Sequence, residues 1–254
     1  MGELRYIAFE DEADNIKDKV ENYWTKRADD FFSIRRDEIE SDKSKRWLEE
    51  IEQVLPKDKK LNILDVGCGA GYFEVILGKK GHRVTGIDLT SEMVLKAEEM
   101  IRIYELDSKH VKAIVGDGEH LNFKDEEFDV VISRNLTWTL PHPIEAYKEW
   151  ARVLKKGGTL LNYDAEYAKG AHNLKSTENI AHKNIPDSLK DECHSIYHML
   201  TISTLNRPEW DRTILEELGF KDIRCDINFG NRIFVEKDEF YIPDRMFSIT
   251  AKKM

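Results

Sequence analysis

The stretch Asp65-Val66-Gly67-Cys68-Gly69-Ala70-Gly71 constrains this chain more than any other. It follows a short apolar run, LNILDV (61–66), and opens a helical stretch, Tyr72–Lys80. Glycines at alternate positions let the backbone turn sharply out of a strand and approach a ligand where a Cβ would clash. The same rhythm continues downstream. RVTGIDL (83–89), HVKAIVGD (110–117), FDVVISR (128–134) and GTLLNYD (158–164) are further apolar runs, with helical stretches at Ser91–Leu106 and Ile144–Leu154. Strands alternating with helices mean βαβ units and a parallel sheet, hence an α/β fold. The crossovers are then right-handed, and ligands bind at the carboxyl ends of the strands.

Two segments break that rhythm. Before the loop, apolar residues recur at helical spacing: Tyr23 and Trp24, then Ala28, Phe31 and Phe32, then Trp47, Ile51 and Leu55. This predicts two or three amphipathic helices ending before Pro56. Residues 165–206 are too long for a plain connection and are expected to be an insertion with helices of its own. RPEWDRTILEELGF (207–220) then reads as a helix, and DIRCDINF (222–229) and RMFSITAKK (245–253) as closing strands. The expected organisation is one structural domain in three parts. These are an N-terminal helical extension (1–56), an α/β unit (57–164 and 207–254) and an inserted helical lid (165–206).

A dinucleotide-binding loop shares the strand–glycine–helix context, so the glycines alone do not choose a ligand. Asp65 discriminates. A carboxylate at the loop mouth repels a pyrophosphate and suits a ligand carrying an ammonium group, such as a nucleoside with an amino-acid tail. Asp88 lies 23 residues further on, at the end of the second strand. That is the spacing of an acid that accepts both ribose hydroxyls. The third strand ends in Gly116-Asp117-Gly118-Glu119. An Asp there accepts from an exocyclic adenine amine, and the next backbone N–H donates to a ring nitrogen.

Together these elements resemble the class I S-adenosylmethionine-dependent methyltransferase family. The likeness runs through LNILDVGCGAGYFEVILGKKGHRVTGIDLTSEMVLKAEE (61–99), VGDGEHLNFKDEEFDVVISRN (115–135) and EWARVLKKGGTLL (149–161), about half of the chain. It implies a Rossmann-like seven-stranded, mostly parallel sheet flanked by helices. It implies S-adenosyl-L-methionine as cofactor and S-adenosyl-L-homocysteine as product. By position, Asp65, Gly67 and Gly69, with Cys68 between them, surround the methionine moiety. Asp88 holds the ribose, and Leu89 and Met93 flank the adenine. Asp117 and Gly118 bind the adenine edge with Glu119 beside them, and Asn135 lines the methionine end and the methyl-transfer site. Plainer roles exist: Cys68 as a packed residue beneath the loop, Asp88 as a helix cap, Asp117 as a turn former.

Acceptor-side candidates follow the later strands. Trp138 is either pocket wall or core, and His142, between two prolines, is a candidate base. Tyr163 or Asp164 is the candidate to orient an acceptor, strand alternation allowing only one of the two to face the cleft. On the N-terminal helix Trp24, Arg27, Phe31 and Arg35 share one face. That helix either packs on the sheet or closes over the cofactor with Arg27 near its carboxylate. The insertion holds His172, His182, His194 and His198. His194 and His198 follow Cys193 at a spacing that can bind a metal, but neither HExxH nor CxxC accompanies them. They read better as a roof over an acceptor pocket, and no metal site is assigned.

Composition decides between functions. The chain has 39 basic and 49 acidic side chains, a net charge of −10, which opposes a nucleic-acid partner. RNLTW after the fourth strand also lacks the Asn/Asp-Pro-Pro-aromatic run of nucleic-acid methyltransferases. Cys68, Cys193 and Cys225 are too few and too scattered for a disulfide framework. No apolar run of about 18 residues is present and the N-terminus has no signal core, so a cytoplasmic protein is expected. The expectation is an enzyme that moves a methyl group to a small-molecule acceptor by in-line displacement, as a monomer or a homodimer. An RNA methyltransferase and a non-catalytic cofactor-binding regulatory module are the alternatives. A dinucleotide-dependent oxidoreductase is opposed by Asp65.

Overall fold

The computed structural model describes residues 10–57, 59–167 and 179–254, with side chains from residue 15 onward. His172 and residues 168–178 of the expected insertion lie outside the described residues. The apolar runs form one seven-stranded sheet in the order β3-β2-β1-β4-β5-β7-β6. The first four strands are β1 (Asn62–Val66), β2 (Arg83–Asp88), β3 (Val111–Val115) and β4 (Phe128–Arg134). They are followed by β5 (Leu154–Ala165), β6 (Lys221–Asp226) and β7 (Met246–Lys252). β1 pairs in parallel with both β2 and β4, and β7 runs antiparallel between β5 and β6. The strand order reverses between β1 and β4, which opens a crevice at their carboxyl ends.

Helices cover both faces because β1 and β4 are apolar on both sides. On one face α2 (Lys43–Glu52), α3 (Tyr72–Lys79) and α4 (Ser91–Ile103) pack with the short α8 (Gly230–Ile233). On the other, α5 (Pro143–Val153) and α7 (Glu209–Glu217) do so. Trp47 of α2 is fully buried, its ring edge-on to Tyr163 at 5.0 Å and Phe73 at 5.4 Å. The N-terminal periodicity resolves into two helices, α1 (Glu10–Glu40) and α2. α1 runs across the carboxyl ends of the strands. Lys17 meets Asp117 beyond β3, Thr25 meets Glu92 on α4, and Glu38 meets Arg134 at the end of β4. From the insertion, α6 (Asp187–Met199) packs beside α1 through Lys26 and Glu192.

The structure corrects the expectation for Tyr163 and Asp164. β5 is an interior strand covered on both faces, so the alternation sends one side chain into each packed layer and neither into the cleft. Tyr163 lies against Trp47 and Phe229. Asp164 accepts from Arg207 Nη1 at 2.8 Å and from the Trp138 backbone at 3.0 Å, and also holds the Thr137 hydroxyl. Arg207 grips Asp211 as well, with Nε to Oδ2 at 2.9 Å and Nη2 to Oδ1 at 2.8 Å. Tyr147 donates to Asp211 and accepts from Asn162. This buried network ties β5, α5 and α7 together.

Candidate active site

The glycine loop is anchored from below. The backbone N–H groups of Gly67 and Cys68 both donate to the Ile87 carbonyl, at 2.8 and 2.9 Å. Gly69 has φ +52, and a Cβ there would stand 3.0 Å from the Phe31 ring of α1. Gly71 has φ +86, and its Cβ would stand 3.0 Å from the backbone of Ala97. A side chain at either position would meet backbone strain and a neighbour at once. Asp88 completes the loop: its Oδ2 accepts from Gly69 N and its Oδ1 from Thr90 N, each at 2.9 Å. Each oxygen keeps a further lone pair. Burial lifts the Asp88 carboxyl above its usual range, against the pull of these two backbone donors.

One cavity gathers most of the expected residues. The loop contributes Gly67 and Gly69, the end of β2 contributes Asp88 and Leu89, and α4 contributes Met93. The turn after β3 adds Asp117 and Gly118, the residue after β4 adds Asn135, and α1 adds Trp24 and Arg27. Asn135 sits at φ +59 with its Oδ1 buried and, among the described residues, unpartnered. Trp138 also lines the cavity and stacks on Tyr197 of α6, with centroids 4.7 Å apart and planes at 38°. So the choice between wall and core resolves as both.

The remaining expected residues do not reach this cavity. Cys68 turns beneath the loop towards Gly86, and burial pushes its thiol up. Asp65 is buried against Glu74 of α3. Burial, then the charge of Asp88, pushes its carboxyl up to about 8. Its side chain is hydrogen-bonded to Glu74, and it is not among the residues that line the cavity. Glu119 is fully buried, accepts from the His142 backbone at 2.6 Å and pairs with Lys17 at 2.6 Å. His142 caps α5 and turns Nδ1 to Glu119 at 3.2 Å, away from the cavity. A proline on each side fixed it on a loop; the acid that captures it was invisible at that distance in sequence.

The structure adds groups that sequence reading missed. Lys17 lies one heptad before Trp24, on the same helix face, and bridges Asp117 and Glu119. The spacing was the available signal. Arg134 and Arg35 both clasp Glu38, and Arg134 stacks over Trp47 at 4.4 Å and Tyr72 at 4.9 Å. Burial works against Glu38, yet the two guanidiniums hold its carboxyl below the usual range. A charged residue ending a buried strand was the signal for Arg134. His182 lines the cavity too, and burial with the nearby Arg27 and Arg35 pushes its imidazole down to about 3. It is neutral at physiological pH.

Comparisons with known proteins agree with this geometry. Residues 64–162 match a family described as a methyltransferase domain. That part of the chain is similar to methyltransferase domains, and the seven-stranded sheet is the Rossmann-like fold of the methyltransferases it superposes on. A demethylmenaquinone methyltransferase of Listeria welshimeri is 32% identical over 123 residues, covering 47% of this chain and 51% of that protein. The chain spans about half the length of the curated relatives it matches first. A methyltransferase of Aquifex aeolicus superposes with a TM-score of 0.53 at 20% identity, covering 81% and 89% of the two chains. A phosphoethanolamine N-methyltransferase of Haemonchus contortus, solved with S-adenosyl-L-methionine, superposes with a TM-score of 0.57. Its identity is 20%, with 81% of this chain and 51% of that one covered. Among the described residues no helix is long and apolar enough to cross a membrane.

Proposed function

We propose that the protein is an S-adenosylmethionine-dependent methyltransferase acting on a small-molecule acceptor. The observation that carries this is the convergence of the glycine loop, Asp88 and the Asp117-Gly118 turn, from three successive strand ends, on one cavity. The residues fit the cofactor. The two oxygens of Asp88 retain lone pairs for the ribose hydroxyls. Leu89 and Met93 give apolar walls for an adenine. Asp117 accepts its amine, and the unpartnered Asn135 Oδ1 accepts at the methionine end.

When bound, the cofactor supplies a methyl group already activated on a sulfonium. The protein then has to align the acceptor and keep water out. α1, α6 and the Trp138–Tyr197 pair form walls suited to that task. The space they enclose, open mouth included, is about 1500 Å³. A helix laid across the cleft and a net charge of −10 both favour a small acceptor over a nucleic acid.

Asp88→Ala tests the cofactor assignment. Hydrogen bonds to a charged group contribute about 1.5–3 kcal/mol, so calorimetry should read a loss of roughly 10- to 100-fold in S-adenosyl-L-homocysteine affinity. NAD should not bind the wild-type protein. Unchanged affinity in the variant would remove the assignment. Incubating labelled cofactor with nuclease-treated cell extract should then label a small molecule. Label confined to RNA in untreated extract would overturn the choice of acceptor.

A further inference from the structure

α6 divides its side chains between two surfaces. Cys193 and Tyr197 line the cavity, and Tyr197 meets Trp138 there. His194 and His198, each the next residue along, are rotated from them by about 100° around the helix axis and do not line the cavity. The expectation that these two histidines roof the acceptor pocket is therefore corrected: they form an exposed pair on the outside of α6. They stand one helical turn apart with their rings turned towards each other. The Nε2 atoms are 3.3 Å apart, while the ring centroids are 4.4 Å apart and the planes cross at 78°.

That separation matches the bite of a metal ion. Two Zn–N bonds of about 2.0–2.1 Å at a tetrahedral angle set their nitrogens roughly 3.3–3.4 Å apart. Without a metal, one ring donates its Nε2–H to the other. A metal takes both Nε2 lone pairs once the donating ring moves its proton to Nδ1, so the pair keeps its protons. Asp191, one turn before His194, is exposed on the same face and adds negative potential beside the rings. The nearby ammonium groups are engaged by others: Lys190 by Asp187, Lys26 by Glu192 and Lys19 by Met199 Sδ. Asp117, Glu119 and His120 are the competing seat for a cation, with ligand atoms within 4.8 Å of one another. That seat holds the Lys17 ammonium, 2.7 Å from Asp117 and 2.6 Å from Glu119. A metal there has to displace Lys17, whereas at His194 and His198 the two ligand atoms face each other.

We propose that His194 and His198 form a surface site for zinc or a transition-metal ion of like preference, with water in the remaining positions. Imidazole nitrogens suit zinc, nickel and copper, whereas magnesium and calcium take oxygen ligands. Zinc bound there ties one turn of α6 to itself. The same turn carries Tyr197 to the cavity wall, so the ion stiffens the α6 side of the cleft from outside. The site is independent of the methyltransferase reading and loads without cofactor.

Calorimetry with zinc chloride on the full chain, stripped of metal by a chelator, tests this. Zinc should bind and magnesium chloride should not. His194→Gln and His198→Gln should each weaken zinc binding by at least roughly 10- to 100-fold, the loss that follows removal of even a group supporting a ligand. Glutamine is a good helix former, so both variants should fold. His120→Gln should leave zinc affinity within twofold. Hydrogen exchange gives a second readout: zinc should slow the amides of α6 around Tyr197 severalfold in the wild type and not in His198→Gln. Zinc affinity unchanged in both α6 variants overturns the proposal, as does the absence of zinc binding. Loss of binding in His120→Gln overturns it too and would place the ion at the acidic cluster. Zinc binding with unchanged exchange in α6 would remove the link to the cavity wall.

Discussion

Arg207→Met is expected to lower the free energy of unfolding by about 3–5 kcal/mol, because it strands buried charges. Arg207, Asp164 and Asp211 are all within the interior, and the guanidinium is the cation between two carboxylates. Burial works against that cation, but Asp211 and Asp164 together hold it protonated far above the range of any experiment. Methionine matches much of the length and none of the charge. Asp164 and Asp211 would then face each other with only the hydroxyls of Thr137 and Tyr147 and backbone N–H groups for company. Urea unfolding measures the loss. Adding Asp164→Asn and Asp211→Asn should recover part of it, since neutral partners remove the repulsion. A loss below about 1 kcal/mol would mean that the network is not the tie it looks to be. Methyl transfer per folded molecule should survive, because Asp164 faces Arg207 and not the cavity.

Glu74→Gln should remove a pH dependence from stability. Asp65 and Glu74 are both buried and hydrogen-bonded to each other through their carboxyl groups. Burial, then the charge of Asp88, raises Asp65 to about 8, and burial, then Asp65, raises Glu74. Arg134 opposes the shift at Asp65 without cancelling it. The folded state therefore holds a proton that the unfolded chain releases at about pH 4. Stability from this pair is fully present below that pH and is lost as pH rises towards 8. A glutamine does not titrate, so the proton that Glu74 takes up on folding is absent from the variant, while burial and Asp88 still raise Asp65 in both proteins. Relative to the wild type, the variant should gain up to about 1.4 kcal/mol per pH unit across this window. Asp88 is raised as well, but it is present in both proteins and drops out of the difference. Urea midpoints at pH 5, 6, 7 and 8 make the comparison. Parallel curves for the two proteins would show that Glu74 takes up no proton on folding.

The sheet was legible because its signals are local. β1, β2 and β3 are short apolar runs closed by glycine or an acid, and the residues at their ends follow directly from where those runs stop. Gly67, Gly69, Asp88 and Asp117 were readable for that reason. Asp65 shows the limit. Its place at the loop was plain, but its charge depends on Glu74, nine residues away on the next helix, and on burial that no spacing reveals. Tyr163 and Asp164 failed differently. The rule that ligands sit at strand ends holds for strands bordering the crevice, and β5 is covered there by Trp47 on one side and the Arg207 network on the other. Arg134 and Glu38 are 96 residues apart, and only the path of α1 across the sheet brings them together. The insertion resisted because its helices take their positions from α1 and the cavity and not from their own periodicity.

α1 has a kinetic consequence. It has 31 residues, so as a straight rod it is about 45 Å long. One end is pinned at Asp117, the other at Arg134, with Arg27 between them. A single stiff bar over both compartments does not open over one alone. On the methyltransferase reading proposed above, raising it to release spent cofactor would also uncover the seat of the acceptor, so loading and unloading of the two molecules would be coupled.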